Sequence, residues 1–175
     1  MVIIINGMPR SGKDTFVELC QEINGNHRVY QYSTVDFVKD IAKLCGWNGT
    51  KTPKDRKFLS DLKDILTQWN DVPFSKTMLR IFEIYNEANI HFGLTQEQVL
   101  IFIHCREPQE IARFQKALGN QCRSLLIRRP TVETNDQSNH ADREVFNYNY
   151  DDIIYNNGTI ADFRTKAWDF LHSLE

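Results

Sequence analysis

The chain has 175 residues, of which 41% are hydrophobic, and this combination suits one folded domain with a core of ordinary size. The formal net charge of -2 provides no surface-wide positive field, so we expect no nucleic-acid partner. No apolar run approaches the roughly 20 residues that span a bilayer, and the N-terminus lacks the pattern of a signal peptide. We therefore expect a soluble cytoplasmic protein with no membrane partner.

Strand-like runs alternate with helical patterns along the chain. The strands are predicted at residues 2–5, 28–32, 99–103, 124–127 and 152–155. Helices are predicted at residues 12–23, 36–44, 108–118 and 159–174, and residues 52–88 are mostly helical with Pro53 and Pro73 at helix starts. This alternation predicts an α/β fold with a mainly parallel sheet and helices on both of its faces.

Smaller signals give further expectations. Gly25 is expected to end the first helix, and Ser33 or Thr34 to cap the second. The apolar residues of the stretch 52–88 are expected to pack, and Trp69 and Trp168 to lie in the core. Trp47 follows Gly46 near the proposed acceptor cleft, so it is either a core residue or a platform for base stacking. Residues 128–149 are polar and weakly periodic, which favours a loop or lid over core.

The segment between the first strand and the first helix, residues 7–15, reads G-M-P-R-S-G-K-D-T. It matches the phosphate-binding pattern G-x-x-x-x-G-K-[ST] except at the last position, Asp14. Gly7 and Gly12 let the backbone N–H groups approach a phosphate closely, while the helix N-terminus and Lys13 supply positive charge. A plain strand-turn-helix corner would not require a lysine at this offset, so the segment predicts binding of a nucleotide such as ATP or GTP.

Asp14 stands where the usual pattern offers a hydroxyl to magnesium. A carboxylate beside a polyphosphate is repelled unless it faces Mg²⁺, directly or through water, or turns away to pair with a cation. We favour the first alternative and assign Asp14 to the metal. Thr15 lies about 100° further round the helix, so it contacts an inner phosphate rather than replacing Asp14.

Ligands of parallel α/β sheets bind at the carboxyl ends of the strands. Four candidate residues fall at such ends in the predicted order, and they are Gly7, Ser33, His104 and Arg128. The sequence therefore predicts one cleft built from several strand ends.

Several segments resemble the phage-type deoxynucleoside monophosphate kinases and, more distantly, animal-type phosphomevalonate kinases. The G-K-D form of the loop is shared, and other similar segments lie in order along the chain at residues 36–42, 46–47, 54–56, 106–110 and 152–159. One position departs from the family: after the third core strand the family has D-x-R, and this chain has His104, Cys105 and Arg106. His104 either substitutes as a neutral hydrogen-bonding group near the phosphates or is a satisfied histidine at the sheet edge.

The resemblance implies a P-loop NTPase fold with a five-stranded sheet, formed as a single kinase domain over residues 1–175. It also implies a helical acceptor-binding insertion at about residues 34–95 and a lid at about residues 128–149. The expected activity is transfer of the γ-phosphate of ATP, with Mg²⁺, to a small phosphorylated acceptor, most simply a (deoxy)nucleoside monophosphate. We expect a monomer or a homodimer.

The expected site has three groups of residues. The nucleotide is expected to bind at Gly7, Arg10, Ser11, Gly12, Lys13, Asp14 and Thr15. Phosphoryl transfer is expected to use Lys13 with two lid arginines, Arg128 and Arg129, whose alternative is a solvated loop or salt bridges. The acceptor is expected to bind at Asp36, Lys39, Arg56 and Arg106, with Arg80 as a further candidate by residue type alone.

Each acceptor residue has a plain alternative. The cations are equally suited to surface ion pairs, and Asp36 to stabilising a helix start. Two other functions also stay open from the sequence. One is a kinase for another phosphorylated acceptor, of the phosphomevalonate or dephospho-coenzyme A type. The other is a nucleotide-binding protein with little catalysis, which Asp14 and His104 both motivate.

Overall fold

The computed structural model describes residues 1–23, 27–133 and 144–174. The strands are β1 (Val2–Asn6), β2 (Arg28–Ser33), β3 (Val99–His104), β4 (Cys122–Arg128) and β5 (Asp152–Tyr155). The helices are α1 (Lys13–Ile23), α2 (Asp36–Leu44), α3 (Pro53–Asn70), α4 (Val72–Phe92), α5 (Pro108–Leu118), α6 (Pro130–Glu133) and α7 (Ile160–His172). Two short 3₁₀ turns, Gln96–Gln98 and Gly119–Gln121, lead into β3 and β4. No helix in the described ranges is long and apolar enough to cross a membrane.

The five strands form one parallel sheet in the order β2-β3-β1-β4-β5. In β1, Val2 pairs with Ile101 of β3 on one side and with Cys122 of β4 on the other. All five residues of β1 are buried, as an uninterrupted apolar run on a central parallel strand requires. The predicted α/β fold with a mainly parallel five-stranded sheet is therefore confirmed.

A hydrophobic layer covers each face of the sheet. On one face Ile3 and Ile5 pack with α1 and α7, where Phe16 lies between Phe163 and Phe170. The other face packs against α4 and α5, chiefly through Ile4, Ile101, Ile103, Ile81, Ile84 and Phe114. These two layers fix the sheet, so that its carboxyl edge is a rigid platform for the loops.

The predicted helical stretch 52–88 is two helices: α3 begins at Pro53, and α4 begins at Val72 with Pro73 as its second residue. Thr52 caps α3 and exchanges hydrogen bonds with Asp55, and Asp71 in the left-handed conformation separates α3 from α4. The packing prediction for this stretch is only partly right. No residue of α3 is fully buried, and Ile65 and Trp69 are 62% and 76% exposed.

The expectation that Trp69 and Trp168 lie in the core is wrong. Trp69 and Trp168 are exposed, and Trp47 is half-buried with its indole N–H donated to the Thr50 backbone oxygen. Apolar neighbours in sequence did not identify core positions here, because α3 has no buried residue and α7 buries only one of its faces.

The cap expected at α2 is also wrong. Val35 holds the cap position without a side-chain bond, and the Asp36 carboxylate instead accepts a hydrogen bond from the Ser33 backbone N–H at 2.8 Å. Gly25, the expected stop signal of α1, lies outside the described residues.

The predicted lid, residues 128–149, is described at its two ends. Its first end contains α6, and residues 134–143 lie outside the described residues. At its second end Val145 is fully buried in the core, and its backbone oxygen accepts a hydrogen bond from the Tyr150 hydroxyl at 2.7 Å. The reading of this whole segment as loop or lid is therefore wrong for Val145, while its role as a lid stays a prediction.

Candidate phosphate-binding site

The turn between β1 and α1 needs its two glycines. Gly7 and Gly12 have φ of +152° and +101°, values that side-chain-bearing residues rarely adopt. A Cβ atom on Gly7 would lie 2.4 Å from the Ile127 backbone oxygen, and one on Gly12 would lie 2.5 Å from Nδ2 of Asn156. Both glycines are thus required by conformation and by close contact, as the sequence pattern predicts.

The residue before this turn, Asn6, is an anchor that sequence reasoning missed. It is fully buried, and its Oδ1 accepts a hydrogen bond from the Gly7 backbone N–H at 2.8 Å. Its Nδ2 donates to the Tyr150 hydroxyl at 2.7 Å and to the Arg106 backbone oxygen at 3.0 Å. A polar residue at the end of an otherwise apolar buried strand was the available signal.

A second anchor, Asn156, was also missed as a site residue. It follows β5 and donates from Nδ2 to the Ser11 backbone oxygen at 2.9 Å. The Ser11 hydroxyl is buried and forms no hydrogen bond with the described part of the chain. Two asparagines therefore hold the loop: Asn6 at the end of β1, and Asn156 after the edge strand β5.

One cavity of about 290 Å³ opens above this turn. It is lined by Arg10, Gly12, Lys13, Asp14, Thr15 and Arg129. The Lys13 ammonium donates to the backbone oxygens of Gly7 at 2.7 Å and of Met8 at 2.9 Å. The structure thus brings five of the predicted nucleotide-loop residues together with one predicted lid arginine, and Gly7 and Ser11 form the turn beneath them.

Three cations and a helix N-terminus meet at this cavity. Arg10 has a left-handed conformation with φ of +64°, which is uncommon for a residue with a side chain. Lys13 is the first residue of α1, where unpaired N–H groups and the helix dipole favour an anion. The arrangement suits a ligand with several negative charges, such as a polyphosphate.

Arg128 is oriented differently from Arg129. It ends β4, and its guanidinium lies over the rings of Phe146 and Tyr155, at 5.0 and 5.4 Å from their centroids. It does not belong to the residues that line the cavity. Its predicted part in phosphoryl transfer stays a prediction.

His104 lies at the carboxyl end of β3, in register with Ile5 of β1 and Ser33 of β2. Its side chain is 17% exposed, and Nδ1 lies 3.7 Å from Oδ1 of Asp14. Burial lowers the pKa of the imidazole below its ordinary value of 6.5, although the Asp14 carboxylate opposes this shift. Both readings of His104 made from the sequence stay open.

The donor atoms near Asp14 fit a nucleotide-bound magnesium ion. The carboxylate is 85% exposed, and the Thr15 hydroxyl belongs to a residue of the same cavity. Within residues 1–23, 27–133 and 144–174, no three histidine, cysteine or acidic side chains form a metal-binding cluster. Magnesium commonly uses one or two carboxylates and completes its shell with phosphate oxygens and water, which this donor set allows.

The predicted acceptor residues fall into two places. Asp36 and Lys39 lie on the first turns of α2 and form an ion pair at 2.7 Å. Because the Asp36 carboxylate also accepts from Ser33, this pair is fixed beside the carboxyl end of β2. The Thr34 backbone N–H donates to the His104 backbone oxygen at 3.2 Å, which joins that end of β2 to β3.

The remaining acceptor candidates are more dispersed. Arg106 is exposed and follows β3 directly, so it lies at the same edge of the sheet as the turn. Arg56 is exposed on the first turn of α3. Arg80 on α4 pairs with Glu83 and Glu87 at 3.2 and 2.8 Å. Surface ion pairs were the alternative to acceptor binding that the sequence left open for this residue.

A buried ion cluster near Arg106 was not predicted from the sequence. Lys63 of α3 is 13% exposed and contacts Glu107 at 2.6 Å and Glu110 of α5 at 3.1 Å. Burial by itself lowers the pKa of Lys63, but Glu110 and Glu107 outweigh it and raise this pKa above its ordinary value. The cluster ties the helical insertion to the start of α5, next to the site.

No family model matches the chain, and no curated protein matches it either. Solved structures are similar over nearly the whole length. A kinase candidate from Chloroflexus aurantiacus is 13% identical, covers 99% of this chain and 97% of its own, and gives a TM-score of 0.51. Dephospho-CoA kinase from Campylobacter jejuni is 16% identical, with coverages of 99% and 97% and a TM-score of 0.49. Shikimate kinase from Aquifex aeolicus is 13% identical, with the same coverages and a TM-score of 0.46.

At these identities the likeness concerns the fold. The parallel sheet order, the glycine turn between β1 and α1, and the lysine that starts α1 agree with it. The chain therefore shares with such structures an α/β fold built on a five-stranded parallel sheet.

Proposed function

We propose that this protein is a phosphotransferase that moves the γ-phosphate of ATP to a (deoxy)nucleoside monophosphate. One observation carries the proposal: Arg10, Lys13 and Arg129 line a single cavity above a glycine turn at the N-terminus of α1. Such a cavity neutralises a polyphosphate with both full charges and backbone N–H groups. Phosphoryl transfer needs little else from the protein besides alignment of the two substrates.

The turn supplies the binding of the donor. The Lys13 ammonium donates to the backbone oxygens of Gly7 and Met8. These hydrogen bonds can be exchanged for hydrogen bonds to the outer phosphates of ATP, so the charged group keeps hydrogen-bond partners when ATP binds. Arg129 follows β4 at the start of the predicted lid segment, and Arg10 lies on the turn itself. These two cations approach the phosphates from different elements of the fold, as charge neutralisation in the transition state requires.

The residues around Asp14 fit the magnesium ion that accompanies ATP. Asp14 would hold this ion at the first turn of α1, and the ion would neutralise charge on the phosphates. The Lys13 ammonium and the Asp14 carboxylate are adjacent in sequence and line the same cavity. Together they position charge of both signs around a metal–nucleotide complex.

The acceptor is proposed to bind beside the carboxyl ends of β2 and β3. Asp36 and Lys39 are fixed there by their ion pair, and Arg106 follows β3. A phosphate acceptor is already an anion near pH 7, since its second pKa is about 6. Transfer to a phosphate therefore does not depend on a general base in the site.

A coupled assay of ATP consumption tests the proposal directly. The common ribo- and deoxyribonucleoside monophosphates are supplied one at a time with ATP and Mg²⁺, with phosphomevalonate and dephospho-coenzyme A in parallel. Turnover on one class of nucleotide is the expected result. Turnover on phosphomevalonate or dephospho-coenzyme A alone would assign a different acceptor, and nucleotide binding without turnover on any acceptor would contradict the enzymatic assignment.

A further inference from the structure

Two potential metal donors lie side by side at the edge of the phosphate cavity. Asp14, on the first turn of α1, contributes a carboxylate that is 85% exposed. His104, at the end of β3, contributes an imidazole that is 17% exposed and held by the sheet. The distance from Nδ1 of His104 to Oδ1 of Asp14 is 3.7 Å.

This separation is too long for a hydrogen bond, whose donor and acceptor lie within about 3.2 Å. Neither atom is therefore committed to the other. Two adjacent ligands of an octahedral ion with bonds of about 2.1 Å are roughly 3 Å apart, and opposite ligands are roughly 4.2 Å apart. The observed distance lies between these values, so a small movement of the exposed Asp14 side chain places both atoms on one ion.

The protein alone does not complete such a site. Within the described residues no third acidic, cysteine or histidine side chain joins the pair, and Lys13 beside it repels a bare cation. Phosphate oxygens of a nucleotide supply both the missing ligands and the negative charge. The ion therefore belongs to the metal–nucleotide complex, and this inference rests on the nucleotide binding proposed above.

We propose that His104 supplies a nitrogen ligand, together with the Asp14 carboxylate, to the divalent ion of the bound nucleotide. The chemical consequence is a change in metal preference. Mg²⁺ prefers oxygen ligands and demands near-ideal octahedral geometry, whereas Mn²⁺, although it also favours oxygen, is a first-row transition ion that binds sites with mixed nitrogen and oxygen donors. The site consequently binds Mn²⁺–nucleotide more tightly than Mg²⁺–nucleotide, because Mg²⁺ uses Asp14 without gaining from His104.

The test is made without any acceptor, so that binding is separated from turnover. A non-hydrolysable ATP analogue is titrated calorimetrically in Mg²⁺ and in Mn²⁺, with wild-type protein, His104→Gln and Asp14→Asn. His91→Gln is the matched control, because His91 lies at the far end of α4. The Mn²⁺ complex is also studied by pulsed electron paramagnetic resonance in protein labelled with ¹⁵N, with unlabelled nucleotide.

In wild-type protein we expect Mn²⁺ to tighten binding of the analogue by about tenfold over Mg²⁺, the size of effect that loss of one metal-site contact produces. We expect His104→Gln to remove most of that advantage and the ¹⁵N coupling of the Mn²⁺ ion. Asp14→Asn is expected to weaken binding with both ions, and His91→Gln to change neither quantity.

An absence of ¹⁵N coupling in the wild-type spectrum would overturn the proposal. This result does not depend on whether any variant folds. Equal loss of affinity with both ions in His104→Gln would also overturn it and leave His104 as a group that only positions Asp14. These two results would leave the proposed kinase function intact. Failure of the analogue to bind with either ion would instead overturn the nucleotide assignment and this inference together.

Discussion

Asn156 donates a hydrogen bond from its side chain to the backbone oxygen of Ser11 at 2.9 Å, although 145 residues separate the two in sequence. Ser11 belongs to the glycine turn, and Asn156 follows the edge strand β5. The Asn156 backbone N–H also donates to the Arg128 oxygen at 2.7 Å, which continues the pairing of β5 with β4. The edge of the sheet therefore fixes the conformation of the loop that meets the phosphates.

Replacing Asn156 by Ala is expected to weaken nucleotide binding about three- to tenfold, since one hydrogen bond contributes about 0.5–1.5 kcal/mol. The loss arises because the freed turn must be ordered again when the nucleotide binds. Calorimetric titration with an ATP analogue measures it. Asn157→Ala is the control, because Asn157 is an exposed neighbour whose side chain accepts from Lys166. Equal effects of the two variants would contradict a role for Asn156 in holding the turn.

Replacing Gly12 by Ala is expected to prevent phosphate binding and to destabilise the fold. The new Cβ would lie 2.5 Å from Nδ2 of Asn156, at a backbone φ of +101°. Gly49→Ala is the matched control, since Gly49 has a similar φ of +91° with nothing within 4 Å of the new Cβ. We expect a loss of about 1 kcal/mol for Gly49→Ala and about 2–3 kcal/mol for Gly12→Ala, because only the second adds a collision to the backbone strain.

Urea unfolding of the two glycine variants measures this difference in the free energy of unfolding. Similar losses would show that Asn156 moves away from the new methyl group without cost. Retained nucleotide affinity in Gly12→Ala would contradict the assigned role of the turn.

The sequence was informative where one local segment determines the structure. The glycine turn, Lys13 and the buried strand before them form a continuous pattern, and the structure places them as predicted. Asn6 and Asn156 could not be recognised in the same way, because their importance depends on which backbone atoms the fold brings to them. Asparagine has no spacing rule that identifies such contacts.

The acceptor side was predicted less well for a related reason. Apolar residues on α3 suggested packing, yet Ile65 and Trp69 are exposed, because hydrophobic residues in a short window do not show how many partners a helix meets. The buried charges of Lys63 and Glu110 were missed for the opposite reason. Charged residues normally indicate surface, and only the crossing of α3 with α5 makes this pair an internal contact.

Lys13→Ala is expected to abolish ATP-dependent phosphoryl transfer while leaving the fold intact. The side chain is half-buried and lines the open cavity, so water can enter the space that its ammonium leaves. Circular dichroism and urea unfolding check the fold, and the coupled assay checks the transfer. Lys57→Ala, on an exposed turn of α3, is the control. Undiminished transfer by the Lys13 variant would refute the site assignment.

Lys63→Met is expected to destabilise the protein by about 3 kcal/mol at neutral pH, since it leaves the Glu110 carboxylate buried without its cation. Removing one partner of a buried ion pair lowers the free energy of unfolding by about 3–5 kcal/mol. We expect the lower value because Glu107, the second partner of Lys63, is 39% exposed. Lys57→Met is the matched control: Lys57 pairs with Asp61 on the same helix, but both side chains are exposed. Urea unfolding is expected to show a change within about 0.5 kcal/mol for that control.

The pH dependence separates the charge of Lys63 from its packing. The folded protein raises the pKa of Lys63 above its ordinary value of 10.5, so the stabilisation is fully present below pH 10.5. It is lost as the pH rises through the higher pKa of the folded state, because the neutral amine no longer compensates the carboxylates. The difference in unfolding free energy between wild type and Lys63→Met should therefore be constant near neutrality and narrow above pH 10.5. A difference that stays unchanged into that alkaline range would contradict a stabilising role for the charge of Lys63.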